Sequence, residues 1–426
     1  MSLKKYAEVA DDLADCASRN ELENHRRQTR ELVRVWAPLV WLAPGERFLP
    51  LGVPEFLDNV KAGNDYLHTR VDVGEQSLLR NESSFLYGKE PAGNVPIYAL
   101  VKDCGFAELE SVKLHVSSSS SFSSYAATNE VAGSDRRIRR RSRRSKRVTE
   151  AMWQDRIRVV ADRDKSRRND AELAVALQTN DLPGNEVVTR ADTIRDGNPI
   201  PESVNRFRKL HFHVTYWMFY PFSEGKAVCV LDLGFFGSWP IPSVGGVCMG
   251  KLKEYGNHVG DWEHMSLYFK GEDHPMAMYV SAHDAGAFYR YDLHTGTFLY
   301  ESQETRKGIF QKPIFPERVF TSTGSHPVLF SARGSHGLWT APGKHKFVRL
   351  PRLYDESGFG TAWPTWKRVE LLPVDDTDES PAWMTFRGKW GNPRSNCHPL
   401  VKLGFNICEF VDGPTGIPTK KGRFQC

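Results

Sequence analysis

The chain has 426 residues, 40% of them apolar and 26% charged, with a formal charge of +5. That apolar share is enough to bury a core and excludes a globally disordered chain. No apolar run approaches the roughly 18 residues of a membrane span. Nine basic residues lie between Arg136 and Arg147 with no acid among them; setting them aside turns +5 into −4, so the rest of the chain is mildly acidic. A nucleic-acid-binding surface built into the fold is therefore not expected.

The N-terminus, Met1-Ser2-Leu3-Lys4-Lys5-Tyr6, has no following apolar block and does not read as a signal peptide. This predicts a cytoplasmic or endosomal/vacuolar-associated protein, secreted if a leader has been removed. Residues 1–35 read as helical, and residues 36–112 as the first part of a β core, with strand character in Val95–Val101. Residues 113–149 hold the serine run Ser117–Ser124 and the arginine tract, a composition that cannot repay its ordering entropy and predicts a disordered insert. Arg144-Ser145-Lys146-Arg147 fits the pattern cut by furin-like convertases; an uncut solvated loop and an anionic-lipid or nuclear-localisation patch are the other readings. Residues 150–200 again look helical.

From His211 the texture changes to aromatic and β-branched residues, beginning with His211-Phe212-His213-Val214-Thr215-Tyr216-Trp217. Further strands are predicted at Val228–Leu233, Asp261–Phe269, Met276–Ser281, Ala287–Tyr291, Pro327–Ser331 and Val369–Leu372. Short strands separated by Gly/Pro/Asp turns predict a mostly β chain, an antiparallel sandwich over 201–392, with a tail over 393–426. The seven cysteines contain no CxxC pair and are expected mainly as free buried thiols, although Cys397 and Cys408 could close a hairpin in an oxidising compartment.

The segment richest in chemistry is His258-Val259-Gly260-Asp261-Trp262-Glu263-His264. On a strand, Asp261, Glu263 and Met265 share one face, and Trp262 and His264 the other. Two carboxylates on one face need a cation, a proton or an arginine between them. Asp and Glu with a histidine suit Mg²⁺, Ca²⁺ or Mn²⁺, and admit Zn²⁺. The plain alternative makes Asp261 a turn cap, pairs Glu263 with Arg333 and leaves His258 on the surface. Two other predicted strands end in Ser281-Ala282-His283-Asp284 and Ser331-Ala332-Arg333-Gly334-Ser335-His336, placing polar side chains where sandwich loops converge.

In order, His258–His264, Tyr279–His283, Ser331–Gly337 and Trp383…Trp390-Gly391 resemble the Vps62-type family (vacuolar protein sorting-associated protein 62), as does the opening Trp36-Ala37-Pro38-Leu39-Val40-Trp41-Leu42. The Tyr216–Pro221 strand followed by His258-x-x-Asp261-Trp262-Glu263 is also similar to the necrosis- and ethylene-inducing peptide-like cytolysins. That second resemblance implies His258, Asp261 and Glu263 as cation ligands, with Asp232 as an upstream aspartate, and a sphingolipid head group as target.

Three functions follow as expectations. The first is a divalent-cation site that binds a glycan or lipid head group, with membrane surface as a partner; Asp284 and Arg333 would contact the ligand, and Trp239, Tyr289 and Trp339 would pack on the ring. The second is a hydrolase- or lyase-type enzyme in which the cation activates water and His283 or His336 moves the proton. The third is a trafficking-associated scaffold. The metal's identity, the ligand and the oligomeric state are not legible.

Overall fold

The structure is a computed structural model that describes residues 20, 22–71, 73, 78–107, 209–234, 237–241, 247–305, 313–348, 353–373, 380–399 and 408–426. The insert over 113–149 and the helical reading of 150–200 fall outside these residues. A helix over residues 22–35 leads into the β core, as its charged, Leu-containing pattern suggests.

The fold is mostly β. Its larger sheet has eight strands in the order Arg318–Val319, Thr297–Thr305, Ala285–Asp292, Ala277–Ala282, His258–Lys270, Lys209–Ser223, Ile97–Ala107 and Val369–Leu372. Every neighbouring pair is antiparallel except the last, where Val369 runs parallel to Ile97. A second sheet orders Thr321–Ser322, His326–Ser331, Leu39–Leu42 and Ala362–Pro364, with Leu338–Trp339 also paired to His326–Ser331. Here Leu39–Leu42 runs parallel to His326–Ser331, so the two apolar strands meet across almost 290 residues of chain. Predicted strands in both sheets agree with these spans to within a few residues.

Register decides which side chains meet. The long central pair places Tyr216 beside Met265, Met218 beside Glu263 and Tyr220 beside Asp261, all on one face. That face looks toward the helix over 22–35 and the second sheet: Tyr216 donates its hydroxyl to the helix's Val33 carbonyl at 2.6 Å, and Tyr220 to the sheet's Ser331 Oγ at 3.2 Å. The other face carries Trp217, Phe219 and Trp262, which pack with Phe56, Trp383 and Trp390 into an aromatic core. Edge-on and tilted ring pairs of this kind contribute about 0.5–1.5 kcal/mol each beyond area burial.

The thiol expectation is corrected. Cys104–Cys426, Cys229–Cys248 and Cys397–Cys408 are disulfides, the last as the hairpin alternative foresaw. Cys104–Cys426 spans 322 residues and pins the C-terminal segment across the larger sheet, where Phe424 stacks on Tyr268 and Arg423 pairs with Glu304 at 3.2 Å. No spacing rule in the sequence reaches over such a distance.

Candidate functional site

The strand His258–Lys270 does not begin as regular β. Gly260 sits at φ +69, and a Cβ there would lie 2.0 Å from the Trp390 carbonyl oxygen, so only glycine fits. The kink lets His258 Nδ1 reach the Gly260 carbonyl at 2.8 Å and keeps its ring beside the carboxylates that follow. Beyond the glycine the strand is regular, and Asp261 and Glu263 emerge buried on the face shared with Tyr220 and Met218.

Asp261 is held by a histidine, not an arginine. His336 is fully buried, adopts φ +55, and stacks flat on Tyr220 with ring centres 3.8 Å apart. Its Nδ1 donates to Asp261 Oδ2 at 3.1 Å and its Nε2 to the Phe48 carbonyl at 3.0 Å, with Glu46 Oε1 at 3.8 Å. Glu46 in turn accepts the amides of Gly334, Arg47 and Phe48. Burial works against the imidazolium, but the hydrogen bonds and charges of Asp261 and Glu46 outweigh it and lift His336 to about 10. Burial likewise pushes Asp261 and Glu46 up, and their histidine partners more than offset it, so both carboxyls sit below the ordinary range. The result is a buried Glu46–His336–Asp261 clamp joining the two sheets. His336, with both ring nitrogens occupied, is a structural cation and not the proton carrier proposed from sequence.

A second clamp stands beside it. Asp355, on the hairpin formed by Gly343–Val348 and Leu353–Ser357, is fully buried. It accepts from His283 Nε2 at 2.6 Å, Lys226 Nζ at 3.0 Å, Ser335 Oγ at 2.7 Å and Trp339 Nε1 at 3.0 Å. Burial opposes ionisation, yet these donors hold its carboxyl well below the usual range. His283 turns at φ +53 to make the contact and stacks on Phe347. A non-glycine residue in this region costs about 1–3 kcal/mol, which the ion pair must offset.

Between the clamps opens a cleft of about 530 Å³. His258, Asp261, Glu263, His283 and Asp284 all line it, so the structure gathers five sequence-selected residues, from the strand His258–Lys270 and the turn between Ala277–Ala282 and Ala285–Asp292, into one place. Glu224 and Asp412 bring its carboxylates to five, against the ammoniums of Lys226 and Lys420. Two of the five already have cationic partners outside that lining, Asp261 in His336 and Glu224 in Arg47. The remaining candidates lie elsewhere. Tyr289 and Trp339 are buried core residues bonded to Thr340 and Asp355, so neither can pack on a ligand ring. Trp239 and Asp232 sit on the small sheet of Ser238–Pro240, Lys226–Asp232 and Lys251–Tyr255, outside the cleft lining. Arg333 pairs with Glu356 at 3.0 Å on the exterior and neutralises neither Glu263 nor Asp261.

Glu46 and Asp355 were not selected from sequence. Glu46 follows a Pro-Gly turn and Asp355 lies in a short charged strand, positions where an exposed acid is the default.

Two curated yeast (Saccharomyces cerevisiae) proteins match the chain. One, named as vacuolar protein sorting-associated protein TDA6, is 28% identical over 222 residues, covering 48% of this chain and 41% of that protein. The other, vacuolar protein sorting-associated protein 62, is 26% identical over 222 residues, covering 47% and 39%. Over this stretch the chain is similar to Vps62-type proteins. The match spans about two-fifths of the length of these relatives, so their whole-protein roles do not transfer with it. No family model and no solved structure matches.

Proposed function

We propose that the cleft of this Vps62-type protein binds a hydroxyl-rich head group, of a glycan or a glycolipid, through a divalent cation held by Asp261 and Glu263 with His258 at its edge. The observation that carries this reading is the gathering of Asp261, Glu263, Asp284 and Asp412 with His258 around one cleft; the cleft's Glu224 is paired with Arg47, and Asp261 keeps His336 as its buried counter-ion. Of the cleft's lysines, Lys226 is already committed to Asp355. Among the described residues, the trio of His, Cys, Asp or Glu donor atoms drawn within 4.8 Å of one another is Cys104, His213 and Cys426, not a set in the cleft. Carboxylate donors suit a hard cation, Mg²⁺, Ca²⁺ or Mn²⁺, with sugar hydroxyls replacing its waters on binding.

Of the expected locations, cytoplasmic, endosomal/vacuolar-associated or secreted, the three disulfides favour an oxidising one, the lumen of the endomembrane system or the exterior. A vacuolar route is consistent with the names of the two relatives. A second reading, a metal-dependent hydrolase or lyase, is favoured by the His283–Asp355 pair, in which the carboxylate fixes the imidazole tautomer at the cleft wall.

The test is calorimetric titration of Ca²⁺ and Mg²⁺ into the full chain and its Glu263→Gln variant, followed by flotation with glycosylceramide vesicles. One cation should bind the wild type and bind the variant at least tenfold more weakly, and flotation should be lost in chelator. Flotation indifferent to both chelator and the variant would overturn the proposal.

A further inference from the structure

Among the described residues, a tight donor set lies on the opposite side of the larger sheet from the cleft's carboxylates. His213 is on the strand Lys209–Ser223, Cys104 on the neighbouring strand Ile97–Ala107, and Cys426 ends the segment laid across them. Their Sγ and imidazole nitrogen atoms all fall within 4.8 Å of one another. His213 is 6% exposed, and its Nε2 is buried with no hydrogen-bond partner, a cost rarely left unpaid without a ligand to meet it.

We propose that Cys104, Cys426 and His213 form a redox-dependent metal site, which takes Zn²⁺ when the Cys104–Cys426 disulfide is reduced. Two thiolates and one imidazole are a zinc donor set, with water in the fourth position. The two states exclude each other, because the disulfide offers no thiolate. A thiol of the glutathione class converts one to the other: two thiols give up their hydrogens, the protein S–S bond becomes two S–H groups, and the thiols leave as their own disulfide. Zn²⁺ then displaces the two thiol protons and joins both sulfurs to His213.

The consequence is a cross-link that survives a change of compartment. The segment Lys420–Gln425 roofs a cavity of about 230 Å³ floored by His213, Thr215, Trp217 and His264. Disulfide or zinc keeps that roof in place.

The experiment uses the full chain reduced with glutathione, desalted without oxygen and incubated with Zn²⁺ alone, then desalted again for elemental analysis. Reduced wild type should retain one zinc more than reduced Cys426→Ser, and treatment with a thiol oxidant should release it. His213→Ala should weaken retention at least tenfold. Co²⁺ in place of Zn²⁺ should give a thiolate-to-metal absorption band in the wild type that falls in Cys426→Ser. Because a variant could lose metal by unfolding, near-ultraviolet circular dichroism must match the wild type. A parallel proteolysis assay should find the reduced C-terminal segment protected by Zn²⁺ in the wild type and not in Cys426→Ser. Equal zinc in reduced wild type and reduced Cys426→Ser, or zinc held equally by oxidised and reduced wild type, would overturn the proposal.

Discussion

Replacing His336 with glutamine tests the clamp that orients Asp261. The imidazolium is fully buried between Asp261 and Glu46, so its removal leaves two buried carboxylates without their cation. Breaking such a buried pair costs about 3–5 kcal/mol at pH 7. The pH dependence is a sharper readout. His336 is raised from 6.5 to about 10 in the folded protein. Its contribution is therefore complete below pH 6.5 and is lost as pH rises toward the folded value. Between pH 7 and pH 9 the native state holds one proton that the unfolded chain has released, a slope of about −1.4 kcal/mol per pH unit. Over those two units the wild type should lose about 3 kcal/mol relative to His336→Gln. Urea denaturation of both proteins at the two pH values measures this directly. A stability gap that is the same at pH 7 and pH 9 would refute the buried imidazolium.

Gly260→Ala must place a Cβ 2.0 Å from the Trp390 carbonyl at φ +69, and should cost about 2 kcal/mol or more in thermal denaturation, with weakened cation binding as His258 shifts. Asp355→Asn removes the shared anion of His283 and Lys226 and should cost about 3 kcal/mol. Because the Asp355 carboxyl is held low, its contribution is present above about pH 3.8 and lost as pH falls further, so Asp355→Asn should flatten the acid limb of the stability profile. Tyr289→Phe and Trp339→Phe, both in the core, should change stability and leave head-group binding of the folded protein unaltered; a selective loss of binding would restore them as ligand contacts.

Much of the sheet structure was legible because the chain repeats one physical signal. Runs such as His211–Phe222 and Asp261–Phe269 are dense in aromatic and β-branched residues and end in turn formers. Alternation along Asp261–Met265 fixed which face each side chain takes, and the register with Tyr216–Tyr220 agrees. What the sequence withheld is long-range pairing. Nothing local says that Glu46 will meet His336, that Asp355 will collect His283 and Lys226, or that Cys104 will reach Cys426. The aromatic ligand contacts failed for a different reason: rings between strands fill the core far more often than they line a cleft, and Tyr289 and Trp339 did so here. His336 is the instructive case, since a histidine flanked by glycine at a strand end reads as reactive until its burial and both its acceptors are seen.

The most direct test of the cleft is an anomalous difference map from crystals of the full chain soaked in Mn²⁺. A peak between Asp261 and Glu263, absent in Glu263→Gln, is the predicted result. A cleft that stays empty while Mn²⁺ occupies other carboxylates would contradict it.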